Sequence, residues 1–503
     1  MSRRRLTLTS PATGGELAGV EVPGPEELAA LVARGREAQP AWAALEPSAR
    51  AAVLNRLRRW LLDHSDRVIE TLGAETGKAY EDALFLELAY VLSALAFWAR
   101  HAGRYLADER RLARSPLVLG RRLVTRHLPR GLVVVIGPWN YPLINSFGDA
   151  VPALAAGNSV ILKPSELTPL TSLLVAEALA ECGLPDGVFA VAPGDGETAA
   201  ALIDAADFVM FTGSIETGRK VAERAAHTLT PFALELGGKD AMIVLAGANL
   251  DRAAACAAHY ATINSGQTCI SIERAYVEDA VYDEFAAKLE SRFAALRTGP
   301  PAGPGSVDIG AITSPAQLEV IERHVADARR RGARIVTGGE RIDSPGRFYP
   351  PTLILDADHT MACMTEETFG PTLALMRVAS ADEAVERLND SRYGLGAAVF
   401  AGAGERAEQI ARRLRVGAVC VNDAAINYFA LEAPMGGMKE SGVGVRHGLD
   451  GIRKFTQPQT ILITPRWFPR REPHMHPYSA RTTALLARGL RALYRRRGSV
   501  NGT

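Results

Sequence analysis

A two-domain α/β chain is the fold class this sequence predicts, and three observations predict it. At 503 residues the chain is too long for one compact core. Its 47% hydrophobic and 22% charged residues are those of an ordinary globular protein. From Leu132 onward, short β-branched or aromatic runs alternate with helical segments, the pattern of a parallel sheet covered by helices on both faces.

The first stretch reads as a short β entry followed by helices. Ser48 is a candidate cap for a helix carrying Leu54, Leu57 and Leu61 at helical spacing. A second apolar helical pattern covers about Leu84 to Tyr105. Ser115 to Gly120, followed by Arg121 to His127, reads as a β-hairpin turning near Gly120. Strand-like runs then fall at Leu132 to Ile136, Ser159 to Leu162, Val188 to Ala192 and Phe208 to Phe211, with a helix over Leu170 to Cys182. A second alternating region runs from about Gly238 to Asn422, with strand-like runs at Ala241 to Leu245, Ala397 to Phe400 and Ala418 to Val421. Internal repeats and low-complexity segments are absent. No apolar run is expected to reach the ~20 residues that span a bilayer. The basic start, Met1 to Leu6, lacks the apolar core of a signal peptide.

A net charge of +1 gives no overall field toward nucleic acid or membrane. The five cysteines, Cys182, Cys256, Cys269, Cys363 and Cys420, are widely spread and include no C-x-x-C pair. That argues against a disulfide framework and a structural zinc site, and toward a reducing, cytoplasmic setting.

The chemistry concentrates in a few motifs. Asn264-Ser265-Gly266-Gln267-Thr268-Cys269 sets one cysteine after a polar, glycine-bearing run behind an apolar helix-like segment. A cysteine there presents its sulfur at a turn, with its own N–H free to face a substrate oxygen. Glu235, in Leu234-Glu235-Leu236-Gly237-Gly238-Lys239, is a second glycine-flanked group. A thiol nucleophile needs a base or a lowered pKa, and a thioester needs an activated water, so the pair fits both needs. Each signal alone is weak, since a free cysteine is more often a small buried hydrophobe.

Asn140, in Gly137-Pro138-Trp139-Asn140-Tyr141-Pro142, offers amide donors to a developing oxyanion, although a lone Asn in a turn is commonly a turn former. Gly213-Ser214-Ile215-Glu216-Thr217-Gly218 follows a strand and opens a helix, where backbone amides can approach a pyrophosphate; it is not the G-x-G-x-x-G fingerprint. Lys163 and Glu166, in Leu162-Lys163-Pro164-Ser165-Glu166, fall at the carboxyl end of a strand, where α/β sheets bind ligands. A carboxylate there accepts ribose hydroxyls and repels a 2′-phosphate, which favours NAD over NADP, and Lys163 offsets part of that repulsion. Glu366-Glu367-Thr368-Phe369-Gly370-Pro371 adds a carboxylate and a ring for a second ribose.

In this order, and together with Pro434-Met435-Gly436-Gly437, these motifs resemble the aldehyde dehydrogenase superfamily over about Leu6 to Ile463. The resemblance implies an aldehyde dehydrogenase-like α/β fold with a Rossmann-type cofactor domain at residues 1–112 and 130–236. It further implies an α/β catalytic domain at 237–440 and a small β oligomerisation arm at 113–129 and 455–465. The implied reaction is NAD(P)-dependent oxidation of an aldehyde to its acid. Cys269 would attack as thiolate, the Asn140 amide and Cys269 N–H would hold the oxyanion, and Glu235 would activate water against the thioester. Relatives that acylate CoA typically lack that glutamate. Lys163 and Glu166 are the implied adenosine-ribose contacts, Gly213 and Ser214 the pyrophosphate contacts, and Glu367 with Phe369 the nicotinamide-ribose clamp, with Trp139 also counted among the cofactor contacts. NAD is preferred with NADP as the alternative, no metal is required, and a homodimer or homotetramer is expected.

Tyr141, Leu143, Asn145, Phe147, Gly148, Thr268, Ile270, the loop Ile426 to Phe429 and Met435 are the expected aldehyde tunnel. They are largely apolar or aromatic, and none is a cation that would pair with a substrate carboxylate. A medium-chain, long-chain or aromatic aldehyde is therefore expected. A succinate-semialdehyde-type substrate is the alternative, because Gly436 to Gly442 is similar to a segment of some such enzymes. An inactive scaffold on the same fold is a third reading, but a scaffold has no need of a thiol and a base together. Beyond Ile463 the chain departs from the family pattern. Residues 466–503 form an expected basic amphipathic tail, with Leu486, Leu490, Leu493 and Tyr494 at helical spacing among Arg481, Arg488, Arg491, Arg495, Arg496 and Arg497. Peripheral contact with an anionic membrane and packing on a neighbouring subunit are both open.

Overall fold

The computed structural model describes residues 4–402 and 404–495. Met1 to Arg3 of the expected basic start, and Arg496 and Arg497 of the expected tail, lie outside the described residues. The chain divides into two units, Met1–Ala107 with His127–Gln457, and Asp108–Arg126 with Pro458–Thr503.

Two sheets organise the first unit. One has six strands in the order Gly442–Val443, Phe232–Glu235, Phe208–Thr212, Leu132–Ile136, Ser159–Lys163, Phe189–Val191. All pairs are parallel except Gly442–Val443 against Phe232–Glu235 at the edge. Every residue of Leu132–Ile136, Ser159–Lys163 and Phe208–Thr212 is buried, as parallel strands covered on both faces require. From Leu132–Ile136 the chain moves outward to Ser159–Lys163 and Phe189–Val191, then returns to Phe208–Thr212 on the opposite side. The connections leaving Leu132–Ile136 and Phe208–Thr212 therefore diverge, and a crevice opens at their carboxyl ends.

The other sheet has seven strands in the order Arg334–Thr337, Thr352–Leu355, Thr372–Val378, Arg274–Glu278, Ala241–Val244, Gly396–Phe400, Ala418–Val421. Only Arg334–Thr337 runs antiparallel. Alternate residues feed separate cores: Ile243, Tyr276 and Val399 on one face, Met242, Val244, Ala275 and Val277 on the other. The α/β expectation is met.

The helical run Asp82–Tyr105 opens with wide π-type turns over Asp82–Leu88. With an 18-residue stretch of mean hydropathy 1.5, it is long and apolar enough to cross a bilayer by length and composition, which overturns the expectation that no such run exists. It packs as a core helix: 56% of that 18-residue stretch is buried, and Val91, Leu95 and Trp98 lie in the main core.

A three-stranded sheet, in the order Thr456–Ile463, Arg122–Pro129, Glu109–Leu112, belongs largely to the second unit. The hairpin differs from its expected form. Its first strand is Glu109–Leu112, with Leu112 opposite Arg122, and Ser115 to Gly120 forms the connection rather than a strand. Pro116 has no N–H for a ladder, and Gly120 takes φ +85°, so the segment turns where a strand would need continuity.

Candidate active site

Cys269 reaches its place through an unusual loop. After the helix Leu250–Thr262, three consecutive residues adopt left-handed backbone: Asn264 at φ 50°, Ser265 at 58° and Gly266 at 71°. A Cβ on Gly266 would sit 2.0 Å from the Gly370 carbonyl oxygen, so only glycine fits. The strain at Asn264 and Ser265 persists because neighbours over-determine the loop. Asn264 Nδ2 donates to the Asn140 carbonyl at 3.0 Å and to the Gln267 carbonyl at 3.2 Å, and its N–H donates to Asp82 at 3.1 Å. Gln267 Nε2 donates to the Ala311 carbonyl at 3.2 Å, while its Oε1 accepts the Thr313 N–H at 2.8 Å. Among the described residues the Cys269 N–H finds no acceptor.

Asn140 is fastened to the same loop. One Nδ2 hydrogen goes to the Gln267 carbonyl at 2.8 Å, and the Asn140 carbonyl accepts from Lys78 Nζ at 3.1 Å. Lys78 is ion-paired to buried Glu87, whose Oε2 accepts the Leu143 and Ile144 N–H groups at 2.9 and 3.0 Å. An Asn amide carries two hydrogens, so one remains for another partner.

Glu235 ends the strand Phe232–Glu235 and is 3% exposed. Its Oε1 has no hydrogen-bond partner, and its Oε2 lies 3.8 Å from Arg446. Arg446 is held by a two-pronged contact to Asp149, at 2.9 and 2.8 Å, and by Thr212. Burial pushes the Glu235 carboxyl up to about 7, against the opposing pull of Arg446 and Lys454. Burial also pushes the Cys269 thiol up to about 12, with Arg446 again opposing. At neutral pH the sulfur is thus protonated, while Glu235 is divided between its two forms and can accept a proton.

Two cavities meet at the sulfur. The more polar of the two, a cleft of about 130 Å³, is lined by Trp139, Asn140, Gly213, Ser214, Glu235, Glu367 and Phe369, among others. A second, apolar chamber of about 40 Å³ is lined by Leu86, Tyr141, Ile144, Tyr260, Ile270, Tyr428 and Phe429, among others. Cys269 and Asn145 line both.

The cleft lies at the crevice between the strand ends, and its donors suit a dinucleotide. Ser214 caps the helix Ile215–His227 by accepting the Thr217 N–H at 3.3 Å, so a helix start adjoins the cleft. Glu367 Oε1 accepts the Gly238 N–H at 2.9 Å, and burial with Glu273 nearby pushes this carboxyl up to about 8. The Trp139 and Phe369 rings meet edge to face at 5.5 Å. Lys163 and Glu166 stand outside this lining, 3.5 Å apart at the end of Ser159–Lys163, where the Lys163 carbonyl accepts the Gly137 N–H at 3.0 Å. Among the described residues no group of three or more His, Cys, Asp or Glu is arranged to hold a metal.

Of the expected tunnel residues, Tyr141, Asn145, Thr268, Ile270, Tyr428 and Phe429 line the chamber, with the Tyr141 hydroxyl 2.8 Å from that of Thr268. Leu143, Phe147, Gly148, Ile426, Asn427 and Met435 do not; Phe147 packs on Phe189 in the core and Ile426 is 46% exposed. Leu143 is fixed by Glu87 in the core, a Cβ on Gly148 would face the Tyr90 ring, and Met435 is bridged to Arg446 through the backbone with its side chain in the core. Sequence reasoning missed Leu86, Ile144, Tyr260, Ile263 and Ala425, which come from separate elements. It also missed Asp149 and Arg446, which are 297 positions apart; a lone arginine among glycines was their only signal.

Comparison with known proteins fits this geometry. The model of the aldehyde dehydrogenase family matches residues 1–461. The chain belongs to the aldehyde dehydrogenase family. It is therefore an oxidoreductase. A Mycolicibacterium smegmatis protein named "Putative succinate-semialdehyde dehydrogenase (NADP+)" is 43% identical over 466 residues, covering 92% of this chain and 89% of that protein. The "4,4'-diapolycopene aldehyde oxidase" of a Methylomonas species is 39% identical over 478 residues, covering 94% and 88%. The crystal structure of a Mycobacterium tuberculosis aldehyde dehydrogenase complexed with NAD+ superposes with a TM-score of 0.88 at 33% identity, covering 93% of this chain and 96% of that one.

Proposed function

We propose that this aldehyde dehydrogenase oxidises a hydrophobic aldehyde to the free acid through a thioester on Cys269. The observation that carries the reading is the position of that sulfur, with an apolar chamber on one side and the more polar cleft holding Glu235 on the other. The thiol gives its proton to Glu235, and the sulfur adds to the aldehyde carbon. The free Nδ2 hydrogen of Asn140 and the Cys269 N–H hold the resulting oxyanion; one such donor is worth roughly 3–4 kcal/mol. NAD(P)+, bound in the cleft, supplies the hydride acceptor. Ser214 and the helix start would face its pyrophosphate, Glu367 and Phe369 its nicotinamide ribose, and Lys163 with Glu166 its adenosine ribose. Glu235 passes the thiol proton to bulk water; once the thioester stands on Cys269 it takes a proton from the attacking water, the C–S bond breaks, and the acid leaves with Cys269 as thiolate, which regains a proton.

The chamber supports the substrate class. Among the described residues no Lys or Arg lines it. Nearby Lys78 is committed to Glu87 and Arg446 to Asp149. A substrate carboxylate would be buried there without a cationic partner, at a cost of several kcal/mol. The name of the Methylomonas relative points the same way, whereas that of the Mycolicibacterium relative points to succinate semialdehyde. The Glu166 carboxylate supports NAD+ as the better acceptor, with NADP+ usable. The six-stranded body serves the cofactor and the seven-stranded body carries Cys269. The outer edges of the three-stranded sheet would pair with a second copy, giving a dimer or a dimer of dimers in the cytoplasm. The test is kcat/KM for octanal, benzaldehyde and succinate semialdehyde with each cofactor. Octanal or benzaldehyde is expected to lead by more than roughly tenfold; a lead for succinate semialdehyde would overturn the substrate assignment.

A further inference from the structure

The tail beyond the family match supplies a surface that the reaction does not use. The match ends at residue 461. Soon after it the chain is fastened within the second unit by Arg121, whose guanidinium lies 4.6 Å over the Phe468 ring. The same side chain pairs with Glu472 and donates to Thr464 at 3.1 Å. After Glu472 the sequence contains no Asp or Glu, but it carries six arginines, Arg481, Arg488, Arg491, Arg495, Arg496 and Arg497.

Ala480–Arg495 is a helix in which no residue is buried. At about 100° per residue, Arg481, Arg488, Arg491 and Arg495 fall within an arc of about 80°. Leu485, Leu486, Leu490, Leu493 and Tyr494 spread over the other side, and Leu485 and Tyr494 are 68% and 55% exposed. Trp467 and Tyr478 add exposed aromatic rings upstream, at 74% and 68%. The helix is about 24 Å long, short of the ~30 Å hydrocarbon thickness, so it has the length of an element lying in an interface rather than crossing one.

We propose that this helix lays its leucine face into the surface of an anionic lipid bilayer. Charge complementarity selects that occupant. Every formal charge after Glu472 is positive, so two tails from two copies repel each other. A polar arc carrying only arginines gains most where phosphate headgroups surround it. Tyr and Trp beside an apolar face suit the headgroup boundary.

The full-length protein is sedimented with phosphatidylcholine vesicles, with and without roughly one-third phosphatidylglycerol. Co-sedimentation is expected with the anionic vesicles and little without them. Arg488→Gln with Arg491→Gln should lower the partition roughly thirtyfold, and Leu486→Glu with Leu490→Glu should abolish it. Full-length protein remaining in the supernatant would overturn the proposal, as would variants that sediment like the parent. Light scattering is the further check: if Leu486→Glu with Leu490→Glu splits the assembly in vesicle-free buffer and leaves sedimentation unchanged, the face belongs to a second copy. None of these residues lines the cleft or the chamber, so octanal oxidation in vesicle-free buffer should be unchanged. A wrong substrate assignment would leave the vesicle result standing.

Discussion

Replacing Glu235 by Gln removes the proton acceptor while keeping the shape of the side chain. The parent enzyme should show its dependence on that carboxyl directly. With a pKa of about 7, Glu235 is about nine-tenths ionised at pH 8 and about one-tenth at pH 6, so steady-state turnover should fall about tenfold between them. The Gln variant should lose that dependence and turn over roughly 10²–10⁴ times more slowly. The reading predicts the form of the loss as well. In stopped flow, the first turnover of reduced cofactor should slow as well as the later thioester hydrolysis, because Glu235 is the base in both steps and Cys269 stays a thiol without it. Folding stability carries a second signature. Folded Glu235 holds its proton more tightly than the unfolded carboxyl, whose ordinary value is 4.5. Its burial therefore costs nothing well below pH 4.5 and costs progressively more as pH rises through 7, reaching about 3 kcal/mol at 1.36 kcal/mol per unit. Between pH 5 and pH 8 the parent should lose stability relative to the Gln variant by roughly that amount, measured by urea unfolding. Glu75, Asp82, Asp240 and Glu367 are also pushed up, but they are common to both proteins and cancel in the difference. Steady multiple turnover by the Gln variant, or an acid limb near 4.5 in the parent, would refute the assignment of Glu235 as the base.

Asn140→Ala should lower kcat about 10²–10³-fold with a smaller effect on KM for the aldehyde, measured by initial rates. Arg446→Met removes a cation 3.8 Å from Glu235, an interaction of at most ~4 kcal/mol at an effective dielectric near 20 and shared with Asp149. The acid limb of kcat should move up by about one to two units, whereas Arg446→Lys should hold it near its original place. Phe429→Ala, at the partly exposed end of the chamber, should cost long-chain aldehydes about tenfold in kcat/KM and leave acetaldehyde nearly unchanged. Gly266→Ala should destabilise the fold by more than ~2 kcal/mol in urea unfolding, because its Cβ has no space beside the Gly370 carbonyl.

The central sheet strands were legible because their residues are buried on both faces and so form unbroken apolar runs. Leu132–Ile136 begins and ends where the pattern places it, and so does the half-buried edge strand Ala418–Val421, on its apolar composition alone. The turn before Arg122 was not, since Leu117, Val118 and Leu119 have strand-like composition while Pro116 and Gly120 dictate the backbone. In the site, Cys269, Glu235 and Asn140 announced themselves through neighbouring glycines and amides, and the structure brings all three to one cleft. The chamber wall was harder to read. Ile144 and Tyr260 look like any core residue on a helix, and only the tertiary path of the chain turns them toward the sulfur. Leu143 and Met435 fail for the converse reason: they share loops with true lining residues but point into the main core. Arg446 and Asp149 carry charges that mean nothing until 297 intervening residues fold them together.

A sulfur standing between two chambers gives each reactant a door of its own. On the proposed reading, the aldehyde and the acid made from it would share the greasy entrance, while the redox partner would come and go by the other. Product acids should therefore compete with aldehyde and not with the dinucleotide, and the longest chains should leave most slowly.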